Sequence, residues 1–220
     1  RNCGNACTTP RHKRRIAMEC AHHLGDGKGA TEYFKALIKR YVELSENPDS
    51  EYILTKPTEA ELSNAYADYY IKGGEKPDDN APEAYHLDCK SEKDFLQLIF
   101  AFIPVEELRK NSKAKGLTIS EYMVAALILG TLNHAKKPIT DPIVIAVPVN
   151  LRSFFPSDTV RNFAVQSKIH FEPKGRTDWT FDEICSEIAG QLKKNTAPSE
   201  LQKQLNKFGD LVNNPVLNPI

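Results

Sequence analysis

Hydrophobic and polar positions sort this chain into alternating helical and strand-like stretches. Ile16 to Leu24 (IAMECAHHL) reads as a short, largely buried strand ending in glycines, its alternation too imperfect to say which face is inward. From Ala30 to Val42 the apolar positions Ala30, Phe34, Leu37, Ile38 and Tyr41 recur at helical spacing, leaving Lys35, Lys39, Arg40 and Glu43 for solvent. Residues 45–89 are polar and broken by Pro48, Pro57, Pro77 and Pro82, which predicts a long connection between two lobes. Within it, Thr58 with Glu61 is a capping-box pair that predicts a short helix to about Tyr70.

Asp94 to Ile103 (DFLQLIFAFI) is rich in aromatic and branched residues and predicts a strand, with Pro104 opening a helix to about Lys115 and Gly116 closing it. Thr118 and Glu121 form a second capping box. The helix they open is expected to be one-sided or wholly buried, with Ile119, Tyr122, Met123, Ala126, Leu127 and Leu132 as its apolar positions. Ile143 to Val149 is continuously apolar, the pattern of a central strand covered on both faces. Phe163, Val165, Ser167, Ile169 and Phe171 alternate with Ala164, Gln166, Lys168 and His170, predicting a half-exposed strand; Thr180 with Glu183 then caps a helix to about Lys194. Without a strict βαβ rhythm, the class is α/β (α+β), a layered fold.

Composition narrows the partners. The 220 residues carry 29 basic and 29 acidic side chains, so the concentrated positive field that nucleic-acid backbones require is missing. No apolar run reaches the roughly 18 residues of a membrane span, and no signal-peptide pattern appears, so a cytoplasmic location is the expectation. Cys3, Cys7, Cys20, Cys89 and Cys185 form no disulfide framework, consistent with a reducing compartment.

Chemistry concentrates in His22-His23-Leu24-Gly25-Asp26-Gly27, placed at a strand end and followed by an amphipathic helix. An imidazole, with an unperturbed pKa of about 6.5, is mostly the free base at neutral pH and can take a proton from an attacking alcohol or amine. Asp26 need not touch His22, because the turn between them contains Gly25; bracing the loop is its alternative role. Gly27 offers either a positive φ or room for close approach of a ligand.

His22-x-x-x-Asp26-Gly27 resembles the HxxxDG motif of the chloramphenicol acetyltransferase-like acyltransferases. That superfamily also holds alcohol acetyltransferases and the condensation domains of peptide synthetases. Further along, TEYFKALIKRY, GLTISEYMVAAL and VPVNLRSFFPSDTVRNF resemble the same superfamily in the same order, the last most like bacterial alcohol acetyltransferases. The resemblance implies two lobes of mixed sheets flanked by helices, with residues 1–88 in the first and 89–220 in the second. It implies that His22 is the catalytic base, that Asp26 is structural and pairs with Arg152 across the lobes, and that Gly27 and Arg152 shape the site. His23 and Asn162 become candidate substrate contacts. The co-substrate implied is acyl-CoA, specifically acetyl-CoA, with a small alcohol as acceptor and no metal. The superfamily's aspartate-phenylalanine-glycine run is absent from these residues, and the first residue is Arg, so a part of a longer protein is expected.

Other readings use the same residues. A non-catalytic descendant or a condensation-type domain would keep the fold. Gly25-x-Gly27-x-x-Ala30 also satisfies a loose dinucleotide fingerprint with Glu46 as the ribose partner, although Asp26 would set a negative charge beside a pyrophosphate. A zinc module could draw on Cys3, Cys7, His12, Cys20, His22 and His23, but their spacing contains no C-x2-C unit.

Overall fold

A computed structural model describes residues 7–8, 11–12, 15–51, 53, 55–78, 83–87 and 99–212. The chain combines many helices with small antiparallel pairings, an arrangement compatible with the α+β class. Its residues group into two units that do not follow one cut in the sequence. The described parts of Arg1–Lys76, Asn150–Val165 and Gln202–Ile220 make the first, and those of Pro77–Val149 and Gln166–Leu201 make the second.

In the first unit, strand β1 (Cys7–Thr8) pairs antiparallel with β4 (Glu19–Cys20), and β2 (Arg11–His12) with β3 (Arg15–Ile16). The continuous strand expected over 16–24 is thus two short pieces. It stops at Cys20, ahead of a turn at His22–His23 closed by the Leu24 N–H donating to the Ala21 carbonyl at 3.0 Å. Helix α1 (Gly27–Glu46) is longer than its apolar spacing suggests at both ends. Tyr33, Ile38, Tyr41 and Val42 on its apolar side are exposed, and none of its residues is buried. The Thr58–Glu61 capping box forms and starts α2 (Glu59–Leu62), after which α3 (Ala65–Asp68) follows as a separate turn. The expected single helix to Tyr70 is split at Ser63–Asn64 because Thr159 and Val160 hydrogen-bond the Ser63 and Glu61 carbonyls.

Helix α8 (Pro198–Val212) carries no expectation from the sequence reading, although Pro198 at its first position and Leu201 and Leu205 four apart signal it. Asn206, buried within it, accepts from Ile71 N–H and donates to the Glu75 carbonyl, so one amide side chain pins residues 71–75.

The second unit has the apolar core. Leu117, Val124, Ala125, Ile128, Ile139, Ile143, Ile169, Phe171, Ile184, Cys185 and Ile188 are all buried together. Helix α4 (Val105–Ala114) begins after Pro104 and ends before Gly116, as expected. Residues 94–98 of the expected strand lie outside the described residues, and 99–103 adopt no regular structure. Helix α5 (Ile119–His134) is capped by the Thr118–Glu121 box, and it is one-sided, but its buried stripe is Glu121, Val124, Ala125, Ile128 and Thr131. Ala126 and Leu127, expected inside, are exposed. Glu121 sets this rotation: it is inside because it closes the capping box and also accepts from Gly190 N–H at 3.1 Å. Thr118→Ala therefore loses the Glu121 N–H partner and should lower stability by about 1 kcal/mol, read from the urea midpoint.

Strand β5 (Ile143–Asn150) pairs with β6 (Ala164–Phe171). Only Ile143 of β5 is buried, and Ala146 and Pro148 are exposed, which corrects the expectation of a strand covered on both faces: among the described residues β6 is its one hydrogen-bonded neighbour. In β6 the alternation is as expected, with Val165, Ser167, Ile169 and Phe171 buried and Gln166 and Lys168 exposed. The Thr180–Glu183 box opens α6 (Phe181–Ile188). Gly190, at φ +77°, interrupts the expected continuation, and α7 (Gln191–Asn195) restarts beyond it.

Candidate active site

The motif residues lie where β4 gives way to α1. Asp26 has extended backbone angles and its side chain caps α1: Oδ1 accepts from the N–H groups of Lys28 at 3.1 Å and Gly29 at 3.2 Å. A carboxylate there meets both free amides and the positive end of the helix. Its other oxygen, Oδ2, accepts from Arg152 Nη1 at 2.6 Å and from Phe163 N–H at 2.9 Å. Asp26 is 6% exposed, and each of its carboxylate oxygens accepts two hydrogen bonds. Burial alone would push its pKa up, but the Arg152 hydrogen bond, the Phe163 and Gly29 amides and the arginine charge together hold the carboxyl below its ordinary value.

Arg152 follows β5 in a single 3-10 turn (Leu151–Ser153) opened by Asn150, whose Oδ1 accepts from the Arg152 N–H. The guanidinium uses all three nitrogens. Nε donates to the Thr159 carbonyl at 3.0 Å, Nη1 to Asp26 and to Asn150 Oδ1, and Nη2 to the Arg161 carbonyl at 2.6 Å. Phe163 underlies it, ring centre 5.9 Å away. The ion pair that the resemblance implied is present, and both of its partners belong to the first unit.

His22 and His23 are exposed in the turn, and neither imidazole has a hydrogen-bond partner among the described residues. Asp26 does not brace His22, because both of its oxygens are engaged elsewhere. What touches His22 is Asn162, whose Nδ2 donates to the His22 carbonyl at 2.8 Å.

Gly27 has no positive φ, and a Cβ on it would meet no described atom within 4 Å. The close backbone approach falls instead at Gly25 and Gly29, where a Cβ would run into the Val160 carbonyl. Gly29 escaped the sequence reading, although Gly25-x-x-x-Gly29 is a visible pair of small residues. Gly29→Ala must push residue 160 away and with it the segment that carries Asn162. A loss of roughly 1–3 kcal/mol in unfolding free energy, measured in denaturant, is expected.

Two other chemistries find less here. The first amides of α1, which a dinucleotide pyrophosphate would need, are taken by Asp26, and among the described residues no strand follows α1 through Glu46 to carry a ribose-binding acid. Among the described residues no three His, Cys, Asp or Glu side chains gather to hold a metal; Cys3 and the side chains of Cys7 and His12 lie outside that description. No single helix there is long and apolar enough to cross a membrane. Neither family models nor curated proteins match this chain.

Proposed function

We propose that this chain belongs to an acyl-CoA-dependent O-acyltransferase of the chloramphenicol acetyltransferase-like type, its two-lobed fold included, with His22 as general base. The observation that carries the reading is the Asp26–Arg152 ion pair, which ties the HxxxDG-like turn to the Asn150-Leu151-Arg152 segment while leaving His22 exposed. Those are the two stretches on which the resemblance rests.

In the reaction, His22 takes the proton of an acceptor hydroxyl as its oxygen attacks the thioester carbonyl of acetyl-CoA. The tetrahedral intermediate collapses with cleavage of the C–S bond, and the departing thiolate recovers the proton from the imidazolium, giving an ester and free coenzyme A. No covalent acyl-enzyme and no metal are required. Asp26 and Arg152 take no proton; they hold the turn. His23, beside the base in the same turn, is positioned to line the acceptor's approach.

The test is acetyl-CoA consumption by the intact protein against a panel of small alcohols, alongside His22→Ala. Turnover that depends on His22 supports the reading. Absence of turnover with every acyl donor and alcohol would favour a non-catalytic descendant.

A further inference from the structure

Resting on the acyltransferase reading, we propose that Asn162 is the positioning residue of His22, holding the turn that presents the imidazole rather than contacting substrate. The turn has little to fix it from within. Leu24 N–H to Ala21 O is its one backbone bond, and residues 22–24 are exposed. Asn162 supplies a tie from outside, through Nδ2 to the His22 carbonyl at 2.8 Å, and this is the side-chain hydrogen bond that His22 receives among the described residues.

The base from which Asn162 reaches is itself fixed on both sides. The preceding Arg161 carbonyl accepts from Arg152 Nη2 at 2.6 Å, and the following Phe163 N–H donates to Asp26 Oδ2 at 2.9 Å, with the Phe163 ring completely buried. Gly25 and Gly29 lie against the Val160 carbonyl two residues earlier. Asp26 and Arg152 thus act on His22 through Asn162.

A second observation bears on the amide itself. Asn162 Oδ1 is buried and accepts no hydrogen bond among the described residues. A buried carbonyl without a donor opposes folding, so what the amide contributes at this position comes from its donating half. The donor's target, an exposed backbone carbonyl that water could serve equally well, gains nothing in stability from it. What the hydrogen bond supplies is a fixed place for the residue that carries the base.

The experiment compares wild type, Asn162→Ala, Asn162→Asp, His22→Ala and the Asn162→Ala/His22→Ala double variant in the intact protein. Asn162→Asp keeps the shape and the acceptor but removes the donor. Both Asn162 variants should lower kcat about 10- to 100-fold, since small displacements of a reacting group cost that much. In Asn162→Ala, KM should stay within about twofold and the melting temperature close to wild type; Asn162→Asp, which buries an unpaired carboxylate, should melt lower and is compared in kcat below its own transition. In the His22→Ala background, Asn162→Ala should cause no further loss, because it acts through a residue no longer there.

Wild-type kcat in both Asn162 variants would overturn the inference, as would an equal further loss on top of His22→Ala, which would mean a role independent of the base. The NMR signal of the His22 ring Cε1–H, assigned by its absence from His22→Ala, needs no activity: it should shift or broaden in Asn162→Ala, and an unchanged signal overturns the proposal. Should His22→Ala itself turn over like wild type, the general-base reading falls, and with it this role for Asn162. Those results differ from the case in which only the Asn162 variants are silent.

Discussion

Arg152→Ala will lower the free energy of unfolding by roughly 3–5 kcal/mol, the usual cost of removing one member of a buried ion pair. The loss exceeds that of one contact because Asp26 is left charged and nearly inaccessible, while the carbonyls of Thr159 and Arg161 lose these donors together and Asn150 Oδ1 keeps only the backbone N–H. Arg152→Lys will recover little, since one ammonium cannot span acceptors laid out around a planar fork. Asp26→Asn combined with Arg152→Met will cost less than the sum of the single changes, because neither charge is then abandoned. Acid titration gives the sign. Asp26 has its pKa lowered on folding, so its contribution is complete above the ordinary carboxylate value of about 3.9 and fades as pH falls through the lower folded value. Asp26→Asn will flatten that acid limb. Arg152→Ala, leaving burial opposed only by backbone amides such as those of Phe163 and Gly29, will move the loss of stability to higher pH. An Arg152→Ala protein as stable as wild type across pH 3 to 7 would refute the energetic role given to the pair.

His22→Ala will behave in the opposite way, reducing turnover by roughly 10²–10⁴-fold while leaving stability within about 0.5 kcal/mol. The imidazole is exposed and unpartnered among the described residues, and the carbonyl that Asn162 holds remains after truncation. His23→Ala is the matched comparison: also exposed, one residue away, and expected to raise the acceptor KM while leaving kcat near wild type. The reverse pattern would reassign the base. Equal turnover in all three proteins would remove the imidazoles from the chemistry.

How far the sequence could be read depended on whether the deciding interaction was local. The three capping boxes at Thr58, Thr118 and Thr180 each formed, because a cap is settled within four residues. Apolar spacing places the start of α1 at Ala30 because Gly27 and Gly29 weaken helical propensity, whereas Asp26 overrides them by capping. In α5, apolar spacing alone chose the wrong stripe, because a buried Glu121 with its partner at Gly190, 69 residues away, turns the helix. For β5, a continuous apolar run could not reveal that a single described neighbour pairs with it. The candidate site divides in the same way. His22 and Asp26 were visible as a motif, but the Asp26–Arg152 pair, 126 residues apart, came only from resemblance. The packing of Gly29 on Val160 shows locally only as the Gly25-x-x-x-Gly29 pair, and the bond from Asn162 to His22 has no local signature.

The split make-up of the first unit bears on the order in which the protein can be built. Asp26 leaves the ribosome long before Arg152 and Phe163, and the α8 residues that hold 71–75 emerge later still. Until then the turn bearing His22 has only its own short bond and the helix it caps. Closing so long a loop is entropically slow and gains nothing until the far segment arrives. The second unit is also split in sequence, but its α5–α6 packing and the Glu121–Gly190 bond, 69 residues apart, close a shorter loop. Folding of the His22 turn should therefore be a late event, and the first half of the chain by itself would leave the candidate base on an unsupported loop.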